Sequence, residues 1–583
     1  MIKNLVSSGG TQDLQYIHAL LIDPDFGLMD NLMPQVLGQF PKLLKASGED
    51  PDTPTLSSAL AGPHRVEFLE AMKLEIKELE QHGTWTVVPR ASLPATVNVL
   101  PSTWAFKIKR YPDGRLRKFK ARFCARGDRQ VEGIDYFEKY APVVSWTTVR
   151  LMISLSINYG WATRQVDFSN AFVQADLKED VYISLPACFD SDEGISRSDV
   201  VMKLNKSLYG LVQAPLYWYN HLKNALENKG FKASKQEPCM FYGRGMVVLC
   251  YVDDCLFFGP DQGKIDEFIK ELKDSGMSLT VEDDVYAFLG VEVKTDKTTR
   301  KVTLTQSGLT KKVLRTTGMQ DSNRKHTPAA TMPLGTDADG ARFSEDWDYA
   351  SVVGMLMYLS SNSRPDIQFA VHQCARFTHN PRKSHGDAVL RICRYLVGTQ
   401  DQGLTFDPNS DLQLDCYVDA DFSGLWKHED DQDPVCVKSR TGYVMTLGGC
   451  PLHWVSKLQT EIALSTLEAE YIALSQSMRD LLPLRSLLSE VGNMLKLEFA
   501  TDAKMHSKVF EDNNGALGLA LSPRITPRTK YIGVKYHFFR EHIGVDKGIT
   551  IHKIESAEQK ADIFTKGLPE ATFRAIRKLL CGW

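Results

Sequence analysis

Carboxylates gather at two places in this chain in patterns that invite a cation. In the stretch from Gly245 to Gly259, two apolar strand-like runs flank the adjacent acids Asp253 and Asp254. Such runs predict a buried hairpin with both acids at its tip. Neighbouring carboxylates there repel one another and lose hydration, an expensive arrangement unless a cation neutralises them. A simple Asp-rich turn is the competing reading. Upstream, Gln165-Val166-Asp167-Phe168 places a third acid at the end of a strand, just ahead of a helical segment. Magnesium takes hard oxygen ligands in near-octahedral geometry, and carboxylates on two neighbouring strands supply them. Two such ions, about 3.5 to 4 Å apart, activate an attacking hydroxyl and stabilise the leaving group of a phosphoryl transfer.

The second gathering is spread more widely. Leu412, Leu414, Cys416 and Val418 alternate with Gln413, Asp415, Tyr417 and Asp419, which predicts a strand with one apolar face and Asp419 on the other. Strand-like runs at 442–447 and 453–456 follow, then a helix with Glu468 and Glu470 early in it. Lys508-Val509-Phe510-Glu511-Asp512 reads as a strand ending on an acid, and Glu558-Gln559-Lys560-Ala561-Asp562-Ile563 as the opening of a last helix. Taken singly, each acid reads more simply as a surface carboxylate. Taken in order, Asp419, Glu470, Asp512 and Asp562 have the layout of a ribonuclease H fold. Glu468 is the rival to Glu470, since the two lie two residues apart on one helix and face different ways.

A third feature concerns phosphates. Between Trp104 and Arg129 there are ten Lys or Arg residues against two Asp, interleaved with Trp104, Phe106, Tyr111, Phe119 and Phe123. Cations interleaved with aromatics suit a nucleic-acid or triphosphate contact, and a solvated charged hairpin turning at Asp113-Gly114 is the alternative.

The elements that must position these groups alternate between short strands and helices to about residue 295, an α+β pattern. A helix is expected over 66–81, where Phe68, Leu69, Met72, Ile76 and Leu79 share a face. Residues 300–400 read as mainly helical, notably 349–359 and 385–396. The 583 residues are too many for one core. A net charge of -3 gives no global basic signature. The 11 cysteines include no C-x-x-C pair, which argues against a zinc finger and for reduced structural thiols. No cleavable leader and no run of about 20 apolar residues is present, so no membrane association is expected.

Tyr251-Val252-Asp253-Asp254 resembles the YxDD signature of reverse transcriptases, and Gln165-Val166-Asp167-Phe168-Ser169-Asn170-Ala171-Phe172 is similar to the first palm motif of copia-type retrotransposon Pol polyproteins. Lys206-Ser207-Leu208-Tyr209-Gly210-Leu211-Val212-Gln213-Ala214-Pro215 resembles that family's nucleotide-site motif, and Lys120-Ala121-Arg122 its fingers motif. Tyr417-Val418-Asp419-Ala420-Asp421, the run 463–471 and Ala561-Asp562-Ile563-Phe564-Thr565-Lys566 resemble the copia-type ribonuclease H. One departure stands out: Lys530-Tyr531-Ile532-Gly533 occupies the place where the family commonly has Lys-His-Ile-Asp.

The resemblance implies an α+β right-hand polymerase with fingers, palm and thumb, followed by an α/β ribonuclease H-like domain. The expected division is a linker at 1–60, fingers and palm at 61–263, palm end and thumb at 264–335, a helical connection at 336–405 and the ribonuclease H-like domain at 406–583. It implies RNA-directed DNA polymerisation with cleavage of RNA in hybrids, and a catalytically inactive relic that only binds nucleic acid is the alternative. Asp167, Asp253 and Asp254 are the expected ligands of one pair of Mg²⁺ ions, and Asp419, Glu470, Asp512 and Asp562 of a second, with Mn²⁺ as a substitute. Lys107, Lys109, Lys120 and Arg122 are expected to grip the triphosphate, Arg122 above all as a bidentate donor. Phe172 is expected to exclude a ribose 2′-hydroxyl, with core packing as its other reading, and Gln213 to lie near the incoming nucleotide and template. His537 reads as structural or substrate-contacting. Expected partners are an RNA template, a DNA primer, RNA/DNA hybrid, dNTPs and other Gag and Pol products. The expected setting is intracellular, a cytoplasmic particle and the nucleus. Protease and integrase modules are not recognisable in the chain.

Overall fold

The run Met246–Tyr251 is apolar at every position because both of its faces are covered. Val247 and Leu249 enter one core with Leu151, Leu155 and Leu256, while Val248 and Cys250 enter another with Trp218, Phe257 and Phe268. In the computed structural model this strand lies inside a six-stranded antiparallel sheet. The strand order is Leu279–Glu282, Ala162–Phe168, Asp254–Gly259, Met246–Tyr251, Met240–Gly243 and Lys232–Ala233. Helices Ala214–Asn228 and Gln262–Asp274 cover one face, and Trp146–Tyr159 the other. The structure describes residues 52–110, 116–187, 197–282, 285–296, 298–407, 412–424, 426, 437–500, 505–522 and 531–583. The turn at Asp113-Gly114, Lys530 and nearly all of the N-terminal linker lie outside the described residues.

Ahead of this sheet, helix Arg65–Gln81 buries Phe68, Met72, Ile76 and Leu79 against the hairpin of Ser102–Arg110 and Leu116–Ala125. A small sheet ordered Trp85–Pro89, Val200–Leu204, Tyr182–Ile183 and Val99–Leu100 completes that unit. After the central sheet, Ala287–Phe288, Val291–Thr295, Val302–Thr305 and Leu404–Phe406 form a four-stranded sheet. Between its last two strands the chain makes helices Ser307–Thr316, Tyr349–Asn362, Gln368–Ala375 and Lys383–Val397.

The C-terminal sheet runs Cys450–Leu458, Arg440–Leu447, Leu414–Asp421, Ser507–Glu511, Ile549–Lys553. Its first three strands are antiparallel and the last two parallel to Leu414–Asp421 and to one another. With helix Thr466–Leu495 packed across it, this is the ribonuclease H-like arrangement, following an α+β polymerase-type unit. The expected helix opening at Glu558 differs: Ser556–Glu558 is a single 3-10 turn and the helix starts at Asp562. Gln559 is the reason, since its buried amide donates to the Val418 carbonyl at 2.8 Å and accepts from the Ala561 amide at 3.2 Å, which draws the chain into the sheet.

The central and C-terminal sheets share one continuous hydrophobic core. Arg150, 3% exposed, crosses it. Its guanidinium donates to the carbonyls of Leu452 at 2.7 Å, Ser361 at 3.0 Å and Asn362 at 3.1 Å, and lies 4.1 Å from the Trp454 ring centroid. The nine described cysteines are free and buried. Among the described residues no helix is long and apolar enough to cross a membrane.

Candidate active sites

Strand register brings the first acids together. Ala162–Phe168 lies antiparallel to Asp254–Gly259 with Asp167 directly opposite Asp254, and such partners hold their Cβ atoms about 4.5 to 5.5 Å apart on one face. Asp253 stands beside them in the two-residue turn between Met246–Tyr251 and Asp254–Gly259. Val252, the other turn residue, has φ 53°, a region unfavourable to a β-branched side chain. Two hydrogen bonds hold the turn in place. The buried Trp218 indole donates to the Val252 carbonyl at 2.5 Å, and the Phe168 amide donates to the Asp253 carbonyl at 2.8 Å. Burial, then Asp253 and Asp167, pushes the Asp254 carboxyl up to about 7. Burial also raises Asp253, against the pull of Arg122. The three acids are therefore short of positive charge.

The basic hairpin supplies some of it. Alternation sends Phe106, Ile108, Ala121 and Phe123 into the core and leaves Lys107, Lys109, Lys120 and Arg122 on the opposite face. There Lys107 pairs across the strands with Lys120, and Lys109 with Lys118. Burial, then Arg122 and Lys109, pulls Lys120 down to about 8, and burial followed by Lys118 lowers Lys109. Arg122 lies 4.4 Å from the Tyr209 ring centroid. The charges of Arg122 and Lys120 act on Asp253, and Asp167 acts on Lys109, so this cationic face looks onto the acids. Beneath it, buried Glu75 accepts from the Phe123 amide at 3.3 Å. Phe172 is half-buried, edge-on to Tyr209 at 4.9 Å. Gln213 is not presented to a ligand: it is 1% exposed, accepts from the Gln130 amide at 3.0 Å and donates to the Asp135 carbonyl at 3.0 Å.

In the C-terminal sheet, Asp419 comes from the central strand, Glu470 from the second turn of helix Thr466–Leu495, and Asp512 from the residue after Ser507–Glu511. Carboxylate oxygens of these three lie within 4.8 Å of one another, the only such His, Cys, Asp or Glu cluster among the described residues. Buried Glu470 keeps one oxygen without a hydrogen-bond partner. Burial, then Glu511, Asp419 and Asp512, holds its carboxyl well above the ordinary range. Asp562 approaches from the short helix Asp562–Thr565, and burial, then Asp419, pushes it up to about 7. Lys566 bridges the two, its Nζ 2.8 Å from Asp562 and 3.7 Å from Asp419, and the Thr565 hydroxyl donates to Asp419. Glu468 is occupied elsewhere. Its carboxylate accepts from the Leu464 amide at 2.7 Å, and its own amide donates to the Ser465 hydroxyl at 3.2 Å, an N-terminal helix cap.

Residues 82–331 match the family model described as reverse transcriptase (RNA-dependent DNA polymerase). The chain is 34% identical over 549 residues to the retrovirus-related Pol polyprotein from transposon TNT 1-94 of Nicotiana tabacum, covering 91% of this chain and 39% of that protein. It is 34% identical over 511 residues to the Pol polyprotein from transposon RE2 of Arabidopsis thaliana, covering 87% of this chain and 33% of that one. Residues 82–331 match the reverse transcriptase family, and over most of its length the chain is similar to the Pol polyproteins of plant copia-type transposons. It thus contains a transposon reverse transcriptase domain and spans between a third and two fifths of these relatives' length. Two solved structures are similar at low scores. The foamy viral protease-reverse transcriptase in complex with double-stranded DNA gives a TM-score of 0.44 at 13% identity over 84% of this chain and 69% of that one. The same viral protein in complex with RNA/DNA hybrid gives 0.43 at 13% identity over 94% and 63%.

Sequence reasoning passed over several residues beside these acids. Glu511 is fully buried with one oxygen unpartnered, and it faces Glu470 electrostatically. Strand parity could have found it, because Ser507, Val509 and Glu511 share the inward face. Asp421 is pushed up to about 6 by burial and then by Asp419. Lys566 was visible as an i,i+4 partner of Asp562. At the departure from the family pattern, the Tyr531 hydroxyl lies 3.3 Å from the Ser465 hydroxyl, and His537 meets the Tyr471 hydroxyl at 2.8 Å.

Proposed function

We propose that this chain is an RNA-directed DNA polymerase that extends a DNA primer on an RNA or DNA template, with a second site that cleaves the RNA strand of RNA/DNA hybrids. The observation that carries the reading is the cross-strand pairing of Asp167 with Asp254, with Asp253 in the adjoining turn and the Lys120 and Arg122 face opposite. Hard carboxylate ligands, an Asp254 carboxyl raised by its neighbours and a buried unpartnered Glu470 oxygen all suit divalent magnesium, with manganese as a substitute. Bound ions would supply Lewis-acid activation of the nucleophile and charge neutralisation at the leaving group.

Asp167, Asp253 and Asp254 would hold the ions of the polymerase site. Lys107, Lys109, Lys120 and Arg122 would hold the triphosphate, the guanidinium through paired N–H donors and the ammonium groups as point charges. Lys120, at about 8 without a ligand, would take up full charge once an anion lies against it. Phe172, braced edge-on by Tyr209, would present a ring edge against a ribose 2′-hydroxyl. Gln213 would act indirectly, by tying the Gln130 and Asp135 loop beneath the site. In the second site Asp419, Glu470, Asp512 and Asp562 would hold the ions that activate water.

The hairpin unit then corresponds to fingers, the six-stranded sheet to palm, the segment to about 335 to thumb, and the helices to about 405 to a connection. Template and hybrid would be gripped through the backbone, without sequence preference. A cytoplasmic particle with other Gag and Pol products is the setting this reading favours.

Primer extension on poly(rA)/oligo(dT) with Mg²⁺, comparing the full chain with Asp253→Asn, tests the polymerase. Extension by the full chain and loss of about 100-fold or more in the variant is expected, and equal extension by both would sink the reading. Release of labelled RNA fragments from a hybrid, with Asp419→Asn as the inactive control, tests the second site separately.

A further inference from the structure

A cavity of about 480 Å³ lies between the helical segment and the C-terminal sheet, and none of the carboxylates of either cluster lines it. Its floor is Trp454 and Ser456 of strand Cys450–Leu458, and its walls are helix Gln368–Ala375, the middle of helix Thr466–Leu495 and the 3-10 segment Val534–His542. Exposed Thr460, Arg479 and Lys535 stand at its mouth, so it opens to solvent.

Its lining is strongly one-signed, with six Lys or Arg side chains against one acid, Asp480. That acid neutralises none of the cations by a direct contact, because it is taken by the Tyr443 hydroxyl and by His453 at 3.2 Å. Arg150 is spent on main-chain carbonyls and Lys535 on Glu461 outside the cavity. Among the described residues Arg440, Lys457 and Arg479 form no ion pair, and the carboxylate that acts on Arg440 is its cross-strand neighbour Asp421, which does not line the cavity.

Arg440 is the telling case. It is 5% exposed, donates from Nη1 to the Ser456 hydroxyl at 3.2 Å, lies 5.3 Å from the Phe369 ring centroid and stands opposite Asp421 in the sheet register. Burial and then Arg376 pull it down to about 9. A buried guanidinium normally keeps its charge by pairing, and the cavity that Arg440 lines is open to an anion that would supply the pair.

We propose that this cavity is a binding site for a multiply charged phosphate, a second anion site distinct from the triphosphate face of the hairpin. Arg440 is its deep bidentate donor, Lys457 and Arg479 close the charge from the rim, and the volume suits a group of nucleotide size rather than a single inorganic ion. The inference does not depend on either catalytic reading.

The test is calorimetric titration of the full chain with sodium tripolyphosphate at constant ionic strength and without divalent metal. Because Arg440 is buried, its Arg440→Gln variant is accompanied by the rim double variant Lys457→Glu, Arg479→Glu, whose fold is checked by circular dichroism. A saturable binding component that is weakened about tenfold or more in the folded rim variant and retained in Lys120→Ala, where only the component of the hairpin face is lost, is expected. Binding unaffected by the rim variant, binding lost only in Lys120→Ala, or no saturable binding overturns the proposal. A short RNA/DNA hybrid then distinguishes the phosphate's source: competition identifies a nucleic-acid backbone, its absence a free nucleotide or polyphosphate, and both agree with the site.

Discussion

Asp254→Asn should make the metal-free protein more stable while abolishing primer extension. Asp254 ionises near 7 instead of 3.8 because burial, Asp253 and Asp167 oppose its charge. At about 1.4 kcal/mol per tenfold, that displacement penalises the ionised carboxylate by roughly 4 kcal/mol. The side chain keeps some solvent access, so screening leaves an expected gain of about 2 to 4 kcal/mol. The sign follows from proton uptake. Between about pH 4 and pH 7 the folded chain holds a proton that the unfolded chain has released, so stability falls as pH rises through that window. Asparagine imitates the neutral acid at every pH. Urea unfolding in EDTA should therefore show the two proteins nearly equal at the acid end of the window and the variant ahead above pH 7.5. Added Mg²⁺ should stabilise the parent and leave the variant behind. A variant less stable than the parent at high pH in EDTA would falsify the repulsion argument, whatever happened to activity.

Three further outcomes follow from the packing. Arg150→Met removes the donors of three buried carbonyls and should cost about 3 to 5 kcal/mol in urea unfolding, with both sheets responding together; a loss under 1 kcal/mol would refute its bracing role. Lys566→Met withdraws the ammonium that lies on Asp562 and Asp419, so Mn²⁺ should bind the C-terminal acids several-fold more tightly by calorimetry; weaker binding would mean the lysine assists the ion. Trp218→Phe keeps a six-membered aromatic ring but loses the indole N–H bond to the Val252 carbonyl, which should lower kcat for extension about 5- to 20-fold with little change in KM; an unchanged kcat would show that the Phe168 bond suffices.

The Asp167 and Asp254 pair was legible because strand ends and a hairpin tip can be read from apolar runs, and antiparallel register does the rest. The order of elements in the C-terminal sheet was legible for the same reason. That Glu468 serves the helix end was also open to reading, because Ser465-Thr466-Leu467-Glu468 has the capping-box spacing of a helix start. Gln213 shows the opposite limit. Its position in a motif says nothing about whether its amide faces a cleft or, as here, a neighbouring loop. The start of the last helix was misplaced because Gln559 answers to Val418, a partner 141 residues away. Arg440 and Lys457 lie one register position apart on the two strands of a hairpin, whereas Arg479 joins them only through tertiary packing.

The Arg150 crossing bears on how such a chain can be rearranged. Helix Trp146–Tyr159 is fastened to Leu452 of the C-terminal sheet and to the end of helix Tyr349–Asn362 through one side chain, while Leu404–Phe406 returns to close the sheet that begins at Ala287. A graft that swaps the C-terminal sheet for a relative's would keep the Arg150 bonds to Ser361 and Asn362 but put at risk its bond to Leu452 and its contact with the Trp454 ring. Recombination between elements should therefore succeed only when the seam residues travel together, so the two halves are inherited as a single mechanical part rather than as interchangeable cassettes.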